Sequence, residues 1–420
     1  MRTILQQRPL RFVFAANVVS MFGSGMNAAA VYWHLLQVTH SEVTLGKLLV
    51  LQTIPGILLL PFSGVVIDRQ DRRHLVMLLD FSRAAVILAV AILALTGRAE
   101  TWQLYLMNTL VAAGFWMFWP TINALIQELT PGAAFVQSNT MLLAGVQGGW
   151  MLAGALVGFL YNHIGLGWIL VIDVATYVVS FLCYFAVRKG RHLVAPQQLS
   201  PEAAEAAHAR GAVRHFFHEL HEGVLYIRSH RYLMLVGTAM GLFISAMLTQ
   251  NVITAPMSDR ILKAGAVGYG WLNWGWGIGA FLSVWYSPQL LRRLGHHRAS
   301  GLSLFTLAAC LFILPFSQVS AVAVSLYMVM GSMRGVAGTA LASDMMELVP
   351  KHFMGRVQNT FYFAGTVAQL GMGLGVAFVA HHISLTLAIM LVGTIYLIAC
   401  TTAMWPVEHR RIVAATAEAD

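Results

Sequence analysis

Charge is scarce in this sequence. Aspartate, glutamate, lysine and arginine together make up 10% of its 420 residues, where a soluble protein carries about a quarter. With 58% hydrophobic residues and a mean hydropathy of +0.69, most of the chain is expected to lie in lipid. Cysteine is scarcer still. Cys183, Cys310 and Cys400 are the three present, each inside an apolar run and far from CxxC spacing, which indicates neither a disulfide framework nor a zinc site. No GxxxxGK[ST] phosphate loop occurs, so there is no sign of a built-in ATP motor. No HExxH, nucleophile elbow or pair of catalytic acids stands in or beside the apolar runs, which argues against a membrane-embedded enzyme. The chain also has no sizeable soluble stretch to carry a signal, which argues against a sensor.

What the chain does have is apolar runs of about 20 residues, the length a helix needs to cross a bilayer. They lack the alternation of a barrel strand, so helices are the remaining way to span. Twelve spans are expected, at about 12–37, 43–67, 75–96, 102–127, 137–160, 165–187, 232–256, 265–287, 299–317, 319–346, 356–380 and 384–405. Arg2, Arg8 and Arg11 precede the first run, which is too long for a signal-peptide core and has no small-residue cleavage site, so it reads as an uncleaved span.

The formal charge of +9 is explained by where the basic residues sit. Arg69, Arg72, Arg73, Arg188, Lys189, Arg191, Arg292, Arg293, Arg298, Lys351 and Arg356 fall in loops on one side, whereas the other side has little beyond Lys47, Arg98, Arg260 and Lys263. This is the positive-inside pattern, so both termini are expected in the cytoplasm and nucleic-acid binding is not.

The longest connection, about 188–231, is expected to end in an amphipathic helix, AVRHFFHELHEGVLYIRSH, and divides the chain into units 1–187 and 232–420. The two units share a pattern. ELTPGAAFVQSNTMLLAG begins at Glu128 and ELVPKHFMGRVQNTFYFAG at Glu347, an offset of 219 residues that becomes 220 at Asn139 and Asn359. An internal repeat of half the chain is what duplicated transporter halves display, with the substrate path between them near the midplane. The expected fold is therefore an all-α integral membrane protein of two pseudo-symmetric six-helix bundles.

Between the second and third spans stands Gly64-Val65-Val66-Ile67-Asp68-Arg69-Gln70-Asp71-Arg72-Arg73. It closely resembles the signature loop of the major facilitator superfamily, G-x-x-x-D-R-x-G/D-R-R/K. Gly64 permits close helix approach, Asp68 can sit at a neighbouring helix N-terminus, and Arg69, Arg72 and Arg73 can pair with acids. The resemblance implies a latch that holds the cytoplasmic gate in the outward-facing state. Glu128, Asp344 and Glu347, at the cytoplasmic ends of their spans, read as partners for the loop arginines rather than substrate contacts. The matching loop of the second half, Pro288-Gln289-Leu290-Leu291-Arg292-Arg293-Leu294-Gly295-His296-His297-Arg298, is degenerate. Aligning Gly295 with Asp71 puts Arg292 where the first half has Asp68, so the second latch is expected to be weaker or differently partnered.

Asp80-x-x-Arg83, the ELxP…N segments, ID-VATYVVSF in the sixth span and EGVLYIRSH before the seventh resemble the exporter branch that includes macrolide-efflux and enterobactin-exporter proteins. That resemblance implies proton-coupled export of an amphipathic small molecule through the bacterial-type inner membrane, by a monomer that needs no cofactor because the proton gradient supplies the energy. A lipid, lysolipid or metal-ion carrier of the same fold is the alternative, and a non-transporting membrane sensor or enzyme a remote one.

Ionisable residues within spans are functional candidates. Arg334, in GSMRGVAG, offers a fork of donors to an anionic substrate, or pairs with an acid on a neighbouring helix. Asp173 can carry a proton or make a helix-packing hydrogen bond. Asp80 and Arg83, one turn apart, are further proton-coupling candidates, or simply neutralise each other. The first span has no acid, so a proton-binding carboxylate is missing there. Asn27, Gln52, Gln147, Gln250, Asn273 and Gln369 are candidates to line the cavity, or to bond helix to helix. Trp116 and Trp274 offer aromatic walls, or belong to an interfacial belt. His215, His218 and His221 read as a solvated helix face rather than a metal site, and no metal site is expected elsewhere.

Overall fold

A computed structural model describes residues 8–130, 135–187, 209–350 and 354–405. Its helices are α1 (Arg8–Thr39), α2 (Glu42–Arg69), α3 (Arg72–Leu95), α4 (Thr101–Leu129), α5 (Phe135–Ala186), α6 (Ala209–Ser229), α7 (Arg231–Pro256), α8 (Gly265–Leu294), α9 (His296–Ile313), α10 (Ser320–Leu348), α11 (Met354–His382) and α12 (Leu385–Ala403). A π-helical turn, Met257–Ile261, extends α7.

Among the described residues, ten helical stretches are long and apolar enough to cross a membrane. One of them, Leu142–Ala186, holds two crossings, because α5 breaks at Gly165 (φ 70, ψ 179). A positive φ with extended ψ is open to glycine and closed to residues bearing a Cβ, so the fifth and sixth spans meet at this residue. The twelfth crossing is α8, whose GWLNWGWGIGAF segment is rich in glycine and tryptophan and less apolar by composition. In this way the twelve-helix architecture follows from ten apolar stretches.

Local chemistry sets the helix ends. Asp71 caps α3 by accepting from the backbone N–H groups of Arg73 at 3.0 Å and His74 at 3.4 Å. Glu100 and Gln103 form a reciprocal capping box at the start of α4. Helix α8 runs through Pro288 to Leu294, beyond the expected end near 287, and stops at Gly295, where φ is 77. The turn into α9 is thus one residue long.

Burial is inverted relative to a soluble protein. On α3, Leu78, Phe81, Leu88 and Ile92 face outward, while Asp80, Arg83, Ala84, Ile87 and Ala91 are buried. Apolar side chains are at home against lipid, and the polar ones need protein partners. Helix α1 packs along α5, α2 against α4 and α11, α8 against α5 and α10, and α7 against α11 and α12. One apolar cluster gathers Met26, Leu35, Leu48, Ile87, Leu104 and Ile169 and takes in Val252, Ala266 and Ala377 from later helices, and a second comes entirely from residues between Ala239 and Ala403.

The α5–α8 seam is a close helix approach. A Cβ on Gly158 would overlap the Ala266 carbonyl oxygen, so this position needs a residue without a side chain. The seam lies toward the end of the bundle that carries the turns at 39–42 and 95–101, called the distal end below. The proximal end carries the turn at 69–72.

Candidate functional site

Three groups of polar side chains sit inside the helices. The first is held by α1, α3 and α5. Asp80 and Arg83, one turn apart on α3, are both buried, with Arg83 Nη2 2.5 Å from Asp80 Oδ1. Ser180 donates to the other Asp80 oxygen at 2.6 Å. The Arg83 guanidinium lies 4.7 Å from the centroid of Phe118 and 4.5 Å from that of Tyr177, and its Nη1 has no hydrogen-bond partner. One turn before Tyr177, Asp173 is fully buried and accepts from Asn27 Nδ2 at 2.7 Å and from Thr176 Oγ1 at 3.4 Å. The cluster contains two carboxyl groups and one permanent cation. Asn27 therefore turns toward Asp173 from α1, the helix that has no acid of its own.

The second group is shared by α1, α2, α4 and α11. Tyr32 donates to Gln52 Oε1 at 3.2 Å, Gln52 Nε2 donates to Asn108 at 3.0 Å, and Trp116 Nε1 donates to the Gln52 carbonyl at 3.1 Å. Trp116 also meets Tyr362 of α11 edge-on, with centroids 6.0 Å apart. Gln369 Nε2 donates to Thr53 Oγ1 at 2.9 Å, so α11 is bonded to α2 beside this row. The Oε1 atoms of Gln250 and Gln369 are buried without a partner. Gln52, Trp116 and Gln369 are thus brought together. Asn273 bonds the Tyr269 carbonyl of its own helix, Trp274 stacks edge-on with Trp271, and Gln147 is half-buried on α5.

The third group surrounds Arg334 on α10. Its Nε lies 2.8 Å from Met247 Sδ, and its guanidinium is 5.9 Å from the centroid of Trp276. Among the described residues it has no carboxylate partner, and neither Nη group bonds a protein acceptor. The glycines that flank it, Gly331 and Gly335, are taken up by close packing against Trp276 and Ser283 of α8.

Each end of the bundle carries its own ion pairs. At the proximal end Arg72 Nη1 is 2.8 Å from Glu128, and Arg73 donates to the carbonyls of Tyr184 at 2.8 Å and Phe185 at 2.6 Å. Arg356 pairs with Glu222 at 3.0 Å, joining α6 to α11. His296 Nδ1 is 3.0 Å from Glu347. Gly64, Asp68 and Arg69 belong to the last turns of α2, and their side chains, like that of His215, lie outside the described residues. His218 and His221 are on α6, where His218 faces Glu222 at 3.7 Å.

The distal end holds residues that the sequence reading missed. Glu42, fully buried at the first turn of α2, lies 2.7 Å from Arg260 and 3.0 Å from His381 Nδ1. Gln37 Nε2 donates to Asp259 at 3.1 Å. These contacts tie α1 and α2 to the turn after α7 and to the end of α11. The available signal was the isolated Arg260 on a side almost free of charge, which calls for an acid opposite it.

The comparison with known families decides the membership. The family model described as Major Facilitator Superfamily matches residues 13–376. The chain belongs to the major facilitator superfamily. It is a membrane transporter and not an enzyme. A curated relative is the uncharacterized MFS-type transporter YkuC of Bacillus subtilis (strain 168), 22% identical over 383 residues that cover 88% of this chain and 85% of that protein. Macrolide efflux protein A of Streptococcus pyogenes is 24% identical over 235 residues, 54% of this chain and 53% of that protein. Among solved structures, the nucleoside transporter NupG shares the major facilitator fold with a TM-score of 0.75 at 12% identity, over 95% of this chain and 99% of that one.

Proposed function

We propose that this major facilitator protein is a proton-driven exporter of an amphipathic small molecule, working by alternating access between units 1–187 and 232–420 around a site near the midplane. The charge cluster of Asp80, Arg83 and Asp173 carries the reading. Two buried carboxyl groups around one guanidinium leave a surplus negative charge that is costly in a membrane interior unless one carboxyl group holds a proton. Asp173, bonded through one oxygen to Asn27 on α1, is the proton carrier, and Asp80 and Arg83 form the neutral ion pair beside it. Gaining or losing that proton changes what α1 and α5 can bond to, which is the differential interaction that a gate needs.

Substrate recognition falls to the row of Gln52, Trp116 and Gln369 and, across the bundle, to Arg334 with Trp276. The aromatic faces suit an apolar body. The unpaired Arg334 fork suits a carboxylate, phosphate or catecholate group. The distal end is taken as the outer side of the inner membrane and both termini as cytoplasmic, in line with the basic proximal loops. The Glu42–Arg260–His381 contacts then act as the outer gate, and Arg72 with Glu128 belongs to the inner latch in which Gly64, Asp68, Arg69 and Arg73 also take part. The likeness to macrolide efflux protein A supports export over half of the chain.

Everted membrane vesicles test the function. Dyes, antibiotics and siderophore-like anions are offered with and without nigericin, which collapses the pH gradient. Uptake that nigericin abolishes is expected for at least one amphipathic compound. Failure across the panel with verified protein overturns the reading in favour of lipid or metal cargo.

A further inference from the structure

The internal repeat superposes two ion pairs that are chemically unlike. With Gly295 set against Asp71, His296 takes the place of Arg72, and Glu347 takes that of Glu128. The structure pairs both sets, Arg72 with Glu128 at 2.8 Å and His296 with Glu347 at 3.0 Å. In the second half an imidazole replaces a permanent cation, and a further acid, Asp344, stands one turn before Glu347 on the same face of α10.

Asp344 is the uncommon member. Its side chain is 9% exposed, and its one described partner, His296 Nδ1, lies at 4.0 Å, beyond a hydrogen bond. A carboxylate this buried needs a cation or a proton to offset its lost hydration. No lysine or arginine among the described residues pairs with it or with Glu347. The ligand atoms of His296, Asp344 and Glu347 all lie within 4.8 Å of one another. Glu347 is 67% exposed and free to swing inward, while Gly295 (φ 77) turns the chain so that His296 faces the end of α10.

We propose that His296, Asp344 and Glu347 form a binding site for one divalent transition-metal ion of the zinc or cobalt class, at the proximal end and outside the transport path. One imidazole and two carboxylates make a mixed nitrogen and oxygen donor set that suits such ions better than magnesium or calcium, and water completes the coordination. The bound ion ties the α8–α9 turn to the end of α10. It thereby makes the second-half counterpart of the Arg72–Glu128 pair responsive to metal concentration, which the arginine of the first half is not.

The test uses the purified full-length protein in detergent, titrated with Co2+ alone and followed by its visible absorption, then competed with Zn2+. The expected result is one saturable Co2+ per chain with the spectrum of a histidine and carboxylate site, weakened at least about tenfold in H296Q, D344N and E347Q. E347Q changes an exposed side chain, so its fold is not at risk if D344N is lost to misfolding. An H218Q/H221Q variant is expected to bind as the parent does. Absence of saturable binding in the parent, binding unchanged in the three site variants, or binding that follows His218 and His221 each overturns the proposal.

Discussion

Glu42 Oε1 lies 2.7 Å from Arg260 Nη1, and this contact joins the first turn of α2 to the π-helical turn after α7. Glu42 is fully buried and Arg260 is 41% exposed. Removing the cation leaves a buried charge without its main partner, because His381 at 3.0 Å offsets it only when protonated. R260A is therefore expected to favour opening of the distal end, by of order tenfold in population, or about 1.4 kcal/mol. The measurement is labelling of a cysteine at Ala377, a position with no exposure in this arrangement, by an impermeant maleimide added from outside. Labelling at the parent rate would remove the gate role.

Gly158 gives a steric version of the same experiment. A side chain there meets the backbone of Ala266 rather than a movable side-chain tip, so G158V is expected to block close packing of α5 on α8. The protein should stay folded, since the conflict disappears when the distal end opens, and transport should fall at least about tenfold. Circular dichroism and the vesicle assay check both parts. Unimpaired transport would mean that this seam need not close.

Asp173 separates coupling from movement. D173N keeps the Asn27 contact geometry but no longer titrates. It is expected to abolish gradient-dependent uptake while leaving substrate exchange across the membrane with no gradient within about threefold of the parent. Loss of exchange as well would make Asp173 a packing residue.

Arg83 is expected to be structural as well as electrostatic. R83A leaves Asp80 buried without its cation, at a cost of about 3–5 kcal/mol, and R83M/D80N should recover most of the loss because neither charge remains. Thermal unfolding in detergent measures both. An R83A protein as stable as its parent would show that Asp80 is already neutral.

Arg334 predicts selectivity. R334A is expected to weaken anionic ligands by at least about tenfold and neutral ones little, because the guanidinium has no carboxylate partner among the described residues that its removal would strand. Equal effects on both classes would assign Arg334 to packing against Met247 and Trp276.

Much of the architecture was legible because lipid imposes it. Each crossing needs its own apolar run, and eleven of the twelve stand out on length and composition alone. Helix α8 does so less, since tryptophan and glycine dilute its hydropathy, and the join at Gly165 was visible only as a short gap between runs. Within the site, Asp80, Arg83, Asp173 and Arg334 were conspicuous because charge is costly in a span. The one-turn spacing also showed the Asp80–Arg83 pair, but the bonds between distant helices were not legible. Asn27 is 146 residues from Asp173 and Thr53 is 316 from Gln369, and nothing local marks an amide that bonds across such a separation. Glu42 was overlooked for the opposite reason: an acid in the first turn of a helix is common, because the macrodipole favours it, so it does not stand out as a gate residue. His296 resembles a loop histidine until the repeat sets it against Arg72.

The central claim is that closure alternates between the two ends, and distances between paired spin labels test it most directly. One pair, at Arg98 and Lys263, spans the distal end. The other, at His74 and Arg293, spans the proximal end, in a background where Cys183, Cys310 and Cys400 are replaced by alanine. The account predicts that lowering the pH or adding a transported ligand lengthens one distance population while shortening the other, and that D173N removes the pH response alone. Two distances that change together, or a distal distance that stays fixed under every condition, would contradict it.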